Sequence, residues 1–221
     1  MTDKVPIRQL PTGVPGLDAV LGGGVPEFSF NLIAGAPGSG KTTLAQQIMF
    51  NLAKPARPAL YFTVLGEPPV KMLRYQQQFT FFDAAKVNDS IRFINVAQEV
   101  LEGGLGQILK RIVQEVEAAS PSIVVVDSFR SAVRKAEREP AGPLEMQHFV
   151  QQLGIHLTGW EATTFLVGEY LTAETADNPI FTVADGLLWL YQSVDRNSVV
   201  RKMQVVKSRG EIGRASCRER V

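Results

Sequence analysis

Residues 35–42, GAPGSGKT, carry the strongest chemical signal in this sequence. They fit the pattern G-x-x-x-x-G-K-[ST] and stand between a stretch with strand character and one with helix character, the setting in which such a loop wraps a phosphate chain. The expected cradle runs through Gly35, Ala36, Pro37, Gly38, Ser39, Gly40, Lys41, Thr42 and Thr43. Its glycines let the backbone curl until successive N–H groups point inward at anionic oxygens. A helix starting near Thr42 adds its N-terminal dipole to the same spot. Lys41 can reach the β- and γ-phosphates, and the Thr42 hydroxyl can ligate Mg²⁺. Mg·ATP is the expected ligand. A chance glycine turn before a helix is the bland alternative, and the complete pattern in its proper setting argues against it.

Such a loop needs an acid near the metal, on a neighbouring strand end. The run IVVVD ends in Asp127, followed by Ser128. A buried strand closing on Asp puts a carboxylate at the ligand-binding edge of an α/β sheet, where it can hold the ion or a water bound to it. An Asp at a strand end also serves as a helix N-cap, so the pairing with the loop decides the reading. Hydrolysis further requires a group within hydrogen-bond reach of a water in line with the γ-phosphate. In YFTVLGEPP (61–69) the residue able to serve is Glu67. Its competing role is a solvated turn residue before Pro68 and Pro69.

The elements that must hold these groups are legible as alternating periods. FSFNLIA (28–34), ALYFTV (59–64), IRFINV (91–96), SIVVVD (122–127) and TTFLVGE (163–169) read as strands, the fourth with the unbroken apolar character of a strand buried on both faces. TTLAQQIMFNLA (42–53), VKMLRYQQQF (70–79), LGQILKRIVQEVEAA (105–119) and a stretch around 144–159 read as helices, with Leu105, Ile108, Leu109, Ile112, Val113 and Val116 in helical register. GLLWLYQSV and SVVRKMQVV, flanking DRN at 195–197, read as an antiparallel hairpin. Repeated β–α units before a hairpin predict an α/β fold with a mostly parallel, doubly wound sheet. The expected organisation is a lead-in segment over 1–27 and one domain over 28–210.

The whole chain bounds the function. It has 221 residues, 45% hydrophobic and 20% charged, as a single globular domain would. The single cysteine, Cys217, excludes an internal disulfide framework. No apolar run reaches membrane-spanning length, and the first residues lack an apolar leader, which predicts a cytoplasmic location. Residues 211–221 have no apolar period and look like a translated sequencing adapter, so a non-native tail is expected there, with the natural protein continuing beyond Gly210. The three arginines and two glutamates of that tail account for the formal net charge of +1. A neutral body gives no electrostatic support for nucleic-acid binding. His148 and His156, with no third ligand nearby, do not suggest a metal. Trp160 and Trp189 read as packing residues, and the charges from Arg134 to Glu139 as a solvated loop.

Taken together, TGVPGLDAVLGGGVP (12–26), the phosphate loop, IVVVDS and KSRG (207–210) resemble the KaiC-like proteins of the RecA-type ATPases, over nearly all of residues 8–210. The resemblance implies a RecA-like P-loop fold and a ring, usually a hexamer, with ATP between adjacent subunits. It also implies two adjacent glutamates after the second strand, but these positions fall on Leu65 and Gly66, a departure that leaves Glu67 one place later. Glu169 matches a glutamate at the end of its strand and is a candidate γ-phosphate sensor. Lys207 and Arg209 match a K-x-R pair that reaches into the neighbouring subunit's nucleotide site. An autokinase of the same family is the second reading, with Thr182 as acceptor and Phe181 where a companion serine stands. A nucleotide-gated scaffold with little turnover is the third. A DNA-recombination mediator is disfavoured by the neutral charge and by the lack of a basic, aromatic-rich loop.

Overall fold

The computed structural model describes residues 7–64, 69–128, 142–171, 179–196, 198–209 and 218–220. The chain runs β1 (Gln9–Leu10), α1 (Leu17–Val20), β2 (Val25–Pro26), β3 (Phe30–Gly35), α2 (Lys41–Leu52), β4 (Ala59–Thr63), α3 (Pro69–Gln76), β5 (Ile91–Asn95), α4 (Ala97–Ala119), β6 (Ile123–Asp127), α5 (Gly142–Gly159), β7 (Thr163–Glu169), α6 (Pro179–Val183), β8 (Gly186–Asp195), β9 (Ser198–Ser208) and β10 (Arg218–Arg220). One eight-stranded sheet has the order β10-β9-β8-β3-β7-β6-β4-β5. The strands from β8 to β5 in that order are mutually parallel, while β9 pairs antiparallel with β8 and β10 pairs antiparallel with β9. The expected mostly parallel sheet with an antiparallel hairpin is therefore the fold.

Alternation along each strand sorts the core into two layers. Leu32, Leu60, Phe62, Val124, Val126 and Leu166 face one side, against α4, α5 and α6. Ile33, Tyr61, Val125, Phe165, Val167 and Leu188 face the other, against α2 and the residues between Val14 and Val25. Every residue of β3, β4 and β6 is buried, as a central strand covered on both faces requires.

Two boundaries differ from the sequence reading for local reasons. Helix α3 stops at Gln76, short of Phe79. Helix α4 starts at Ala97 and is interrupted at Gly104, whose φ of 63° and ψ of −157° are not helical. A glycine takes that conformation at little cost, and the strongly periodic part, from Leu105, follows it.

The segment before β3 is clamped by Asp18. Its carboxylate accepts from Thr12 N and Thr12 Oγ1, each at 2.7 Å, and from Gly13 N at 3.1 Å. Asn51 Nδ2 of α2 donates to Thr12 O at 3.1 Å. Val14, Leu17 and Leu21 are thereby packed into the α2-side core.

Candidate functional site

Helix α2 starts where β3 ends, and the turn between them is built on backbone that side chains resist. Gly40 caps α2 with φ 99°. At Gly35, φ is 148°, and a Cβ there would lie 2.2 Å from the Leu190 carbonyl oxygen. The close approach of β8 is what requires glycine at this position.

The layer argument fixes the carboxylate. Asp127 is two residues beyond Val125, which faces α2, so its side chain projects to the α2 side. Thr42 Oγ1 donates to Asp127 Oδ2 at 2.7 Å, joining the phosphate loop to β6. Tyr61 OH donates to the same oxygen at 2.6 Å, and Gln46 Nε2 donates to Tyr61 OH at 3.4 Å. Strands β4 and β6 pair with Thr63 opposite Asp127, which puts Tyr61 on the carboxylate's face one pleat back. Lys41 is 6% exposed, and its Nζ donates to Ala36 O at 2.8 Å.

Burial dominates the ionisation of this cluster. It pushes the Asp127 carboxyl above the usual carboxylate range, while the Tyr61 and Thr42 hydrogen bonds and the Lys41 charge pull it back. It lowers Lys41, against the opposing pull of Glu169 and Asp127. It raises Tyr61 well above its ordinary value, helped by the Asp127 charge and hydrogen bond.

A cavity of about 510 Å³ opens over the loop, bounded by Lys41, Thr42, Asp127, Glu169, Arg201 and Lys202 among others. Glu169 lies opposite Gly35 in the β3–β7 register. Arg201 and Lys202 come from β9, which pairs Met203 with Leu190 and so brings the two cations alongside the loop. Arg201 Nε donates to Gly38 O at 3.4 Å. Phe79 adds an aromatic wall, 43% exposed.

The residues fit a polyphosphate with a divalent ion. Ser39 Oγ is buried inside the loop without a hydrogen-bond partner among the described residues, as a cradle awaiting an oxyanion would leave it. One hydroxyl beside one carboxylate is a donor set for a hard ion that keeps most of its waters, as Mg²⁺ does. Among the described residues no three His, Cys, Asp or Glu side chains stand together to hold a transition metal. No helix among them is long and apolar enough to cross a membrane.

The remaining expectations fall in three places. Glu67 lies outside the described residues, as do Arg134 to Glu139. Lys207 and Arg209 stand toward the opposite edge of the sheet from the loop. Lys207 pairs with Leu187, itself level with Leu32, and Arg209 N donates to Asp185 O at 3.0 Å. Lys207 Nζ donates to the carbonyls of Thr182 at 2.9 Å and Phe181 at 3.3 Å, and Arg209 Nη1 meets Asp185 Oδ1 at 3.0 Å. Thr182 is exposed on the same edge. Trp189 is buried beside Phe181, and Trp160 stacks on His156.

Sequence reasoning missed Tyr61, Gln46, Arg201 and Lys202. Tyr61 was hidden in an apolar strand run, where only the odd hydroxyl among aliphatics could have marked it. The adjacent cations of VVRKMQVV were a visible break in an apolar strand, but their level in the sheet depends on the hairpin register.

Comparison with known proteins gives a consistent picture. The sequence matches the family described as ATPase: KaiC over residues 10–215. A UPF0273 protein of Thermotoga maritima is 32% identical over 190 residues, 76% of this chain and 72% of that protein. The DNA repair protein RadA of Mycobacterium tuberculosis is 27% identical over 91% of this chain, though the match spans only 39% of RadA. The crystal structure of a KaiC-like protein from the hyperthermophilic archaeon Pyrococcus horikoshii superposes with a TM-score of 0.78 over 96% of this chain and 93% of the other, at 24% identity.

Proposed function

Since the chain belongs to the KaiC family of ATPases, we propose that it binds Mg·ATP in the cavity above the phosphate loop and hydrolyses the γ-phosphoanhydride bond. The observation that carries this reading is the Thr42–Asp127 contact at 2.7 Å beneath a glycine cradle holding a buried lysine. In the proposed complex the amides of residues 38–42 and the Lys41 ammonium hold the triphosphate, while Arg201 and Lys202 offset its charge from β9. Thr42 and Asp127 are the residues that would hold Mg²⁺, which supplies charge neutralisation on the β- and γ-oxygens. The Tyr61 and Thr42 donors keep Asp127 oriented. We assign Glu67 as the base that takes the proton of the attacking water, and Glu169 as a group that faces the terminal phosphate.

The same reading assigns Lys207 and Arg209 to a neighbouring subunit. They stand too far along β9 to serve their own loop: three residues of β3 separate the level of Lys207 from Gly35, roughly 10 Å of strand, and Arg209 lies farther still. In a ring, proposed as a hexamer, the guanidinium would meet the transferring phosphoryl group of the next subunit. A cytoplasmic location accords with this activity. The RadA likeness raises a DNA-bound reading, which the near-neutral charge does not favour.

Binding of a fluorescent ATP analogue and release of phosphate test the proposal together. The expected result is Mg-dependent binding and turnover in the wild-type chain. Loss of one charge-assisted contact costs about 1.5–3 kcal/mol, so Lys41→Ala should weaken binding about 10- to 100-fold. Glu67→Gln should bind normally without turnover. Wild-type turnover in Glu67→Gln removes the base assignment. Tight binding and ring formation with negligible phosphate release in the wild-type chain would make the protein a nucleotide-gated scaffold instead.

A further inference from the structure

Asp185 stands in the short link between α6 and β8, and it fastens the start of β3 to the end of β9. In the sheet β8 lies between those two strands, and the residue just before it reaches both. Its N–H donates to Phe30 O at 2.7 Å, and its carboxylate Oδ2 accepts from Phe30 N at 3.0 Å. Its carbonyl accepts from Arg209 N at 3.0 Å, and Oδ1 accepts from Arg209 Nη1 at 3.0 Å. Phe30 opens β3 and is 3% exposed, so this tie is anchored in the core.

An exposed ion pair ordinarily orients little, because two free side chains must both be ordered to form it. Here the Phe30 bond already fixes the carboxylate, so the acceptor is stationary and the arginine is the partner it orients. A guanidinium carries five N–H donors in a planar fork. The Arg209 side chain stays 63% exposed within the pair, which leaves donors for a second anion. Lys207 is held in a similar way by the Thr182 and Phe181 carbonyls. The two cations stand two residues apart at one strand end, and like charges so placed repel. Burial and the Arg209 charge lower the Lys207 ammonium, and the Asp185 charge opposes them.

We infer that Asp185 is a positioning residue that aims the Arg209 guanidinium, beside Lys207, at the phosphoryl group of the adjoining subunit. The inference rests on the trans reading of these two cations and adds the group that aims them. Asp185 refers the guanidinium to β3, the strand that carries the subunit's own phosphate loop, so the cation moves with a rigid frame. The competing role is a plain fastening of β3, which would support the loop of the same subunit. The two roles differ in which subunit suffers when the carboxylate is lost.

Asp185→Asn separates them. Its single amide oxygen accepts from Phe30 N or from Arg209 but not both, and the NH2 group left over only donates. The expected result is a kcat lowered by up to about 100-fold, as a displaced catalytic group costs, with the Kd for the fluorescent ATP analogue unchanged. Mixed with Lys41→Ala subunits, Asp185→Asn should regain activity, because its intact loop meets a well-aimed Arg209 from the neighbour. Mixed with the Lys207→Ala, Arg209→Ala variant it should regain none, since neither subunit supplies an aimed pair. The reverse pattern puts the defect in the variant's own loop and overturns the inference, as does a wild-type kcat. In nucleotide-free wild-type protein the Arg209 guanidinium, assigned by its loss in Arg209→Ala, should show slowed Cζ–Nη rotation by NMR. Free rotation there overturns the aiming role even if Asp185→Asn does not assemble. Failure of the Lys41→Ala and Lys207→Ala, Arg209→Ala subunits to complement each other, or a wild-type chain without turnover, refutes the trans reading itself and removes the positioning role with it.

Discussion

Tyr61 and Asp127, on neighbouring strands β4 and β6, share a hydrogen bond of 2.6 Å that no nearness in sequence announces. It exists because the two strands pair in parallel with Thr63 opposite Asp127, so a tyrosine one pleat back on the same face lays its hydroxyl against the carboxylate. Thr42 reaches the same oxygen from the start of α2. The acid that the proposed chemistry needs is thereby held from two directions before any ligand arrives.

Removing the tyrosine hydroxyl should destabilise the protein and raise the carboxyl's pKa further. In Tyr61→Phe the buried Asp127 keeps Thr42 as its remaining hydroxyl donor. Loss of a hydrogen bond to a charged group costs about 1.5–3 kcal/mol, and each kcal/mol lowers Tm by about 2–4 °C in a chain of this size. Thermal denaturation near neutral pH checks this. Because the lost bond favours the ionised form, Mg-dependent binding of ATP should also require higher pH than in the wild type.

The raised Asp127 carboxyl predicts a pH dependence of defined sign. A group whose folded pKa lies above its unfolded value contributes stability that is complete below the unfolded pKa and is lost as pH rises through the folded one. Ligand-free protein should therefore lose Asp127's contribution as pH climbs from the ordinary carboxylate range through the raised value. Asp127→Asn should flatten the stability profile in that window and abolish the extra Tm that Mg²⁺ adds in the presence of ATP. A profile identical to wild type would show that another carboxylate sets the slope.

Gly35→Ala should damage the cradle through its backbone. The added Cβ would sit 2.2 Å from the Leu190 carbonyl oxygen, at φ 148°. Forced overpacking of this kind costs typically about 1–3 kcal/mol. Denaturant unfolding should show the loss, and ATP binding should weaken with it as β8 and the loop move apart. Wild-type stability would mean that β8 gives way freely.

Subunit mixing tests the proposed trans role of the basic strand end. Lys207→Ala with Arg209→Ala should assemble and bind ATP but turn over poorly, and Lys41→Ala should turn over poorly because its own loop binds ATP weakly. Mixed rings of the two should regain part of the activity, since an intact loop in one subunit can meet an intact Lys207 and Arg209 from the next. No recovery on mixing, with assembly verified by native mass, would leave these cations as a cap on the α6 carbonyls and a partner for Asp185.

What the sequence determined by itself was whatever depends on near neighbours. The phosphate loop, the strand that ends in Asp127 and the alternation of strand and helix all rest on glycine spacing and on periods of two and 3.6 residues, which are local properties of the chain. Even the break at Gly104 is foreshadowed by three glycines within four residues. Tertiary structure decided the rest. β3 pairs with β7 and β8 rather than with β4, its neighbour in sequence. From that order follow Arg201 beside the loop, Lys207 toward the far edge, and the two hydroxyls on one carboxylate oxygen. It also decided that Gln76, in a run of three glutamines with nothing to distinguish it, is the one that is buried. The physical reason is that a buried polar group takes its partners from across the sheet, and strand order and register are set by the packing of the whole core, which no short window of sequence contains.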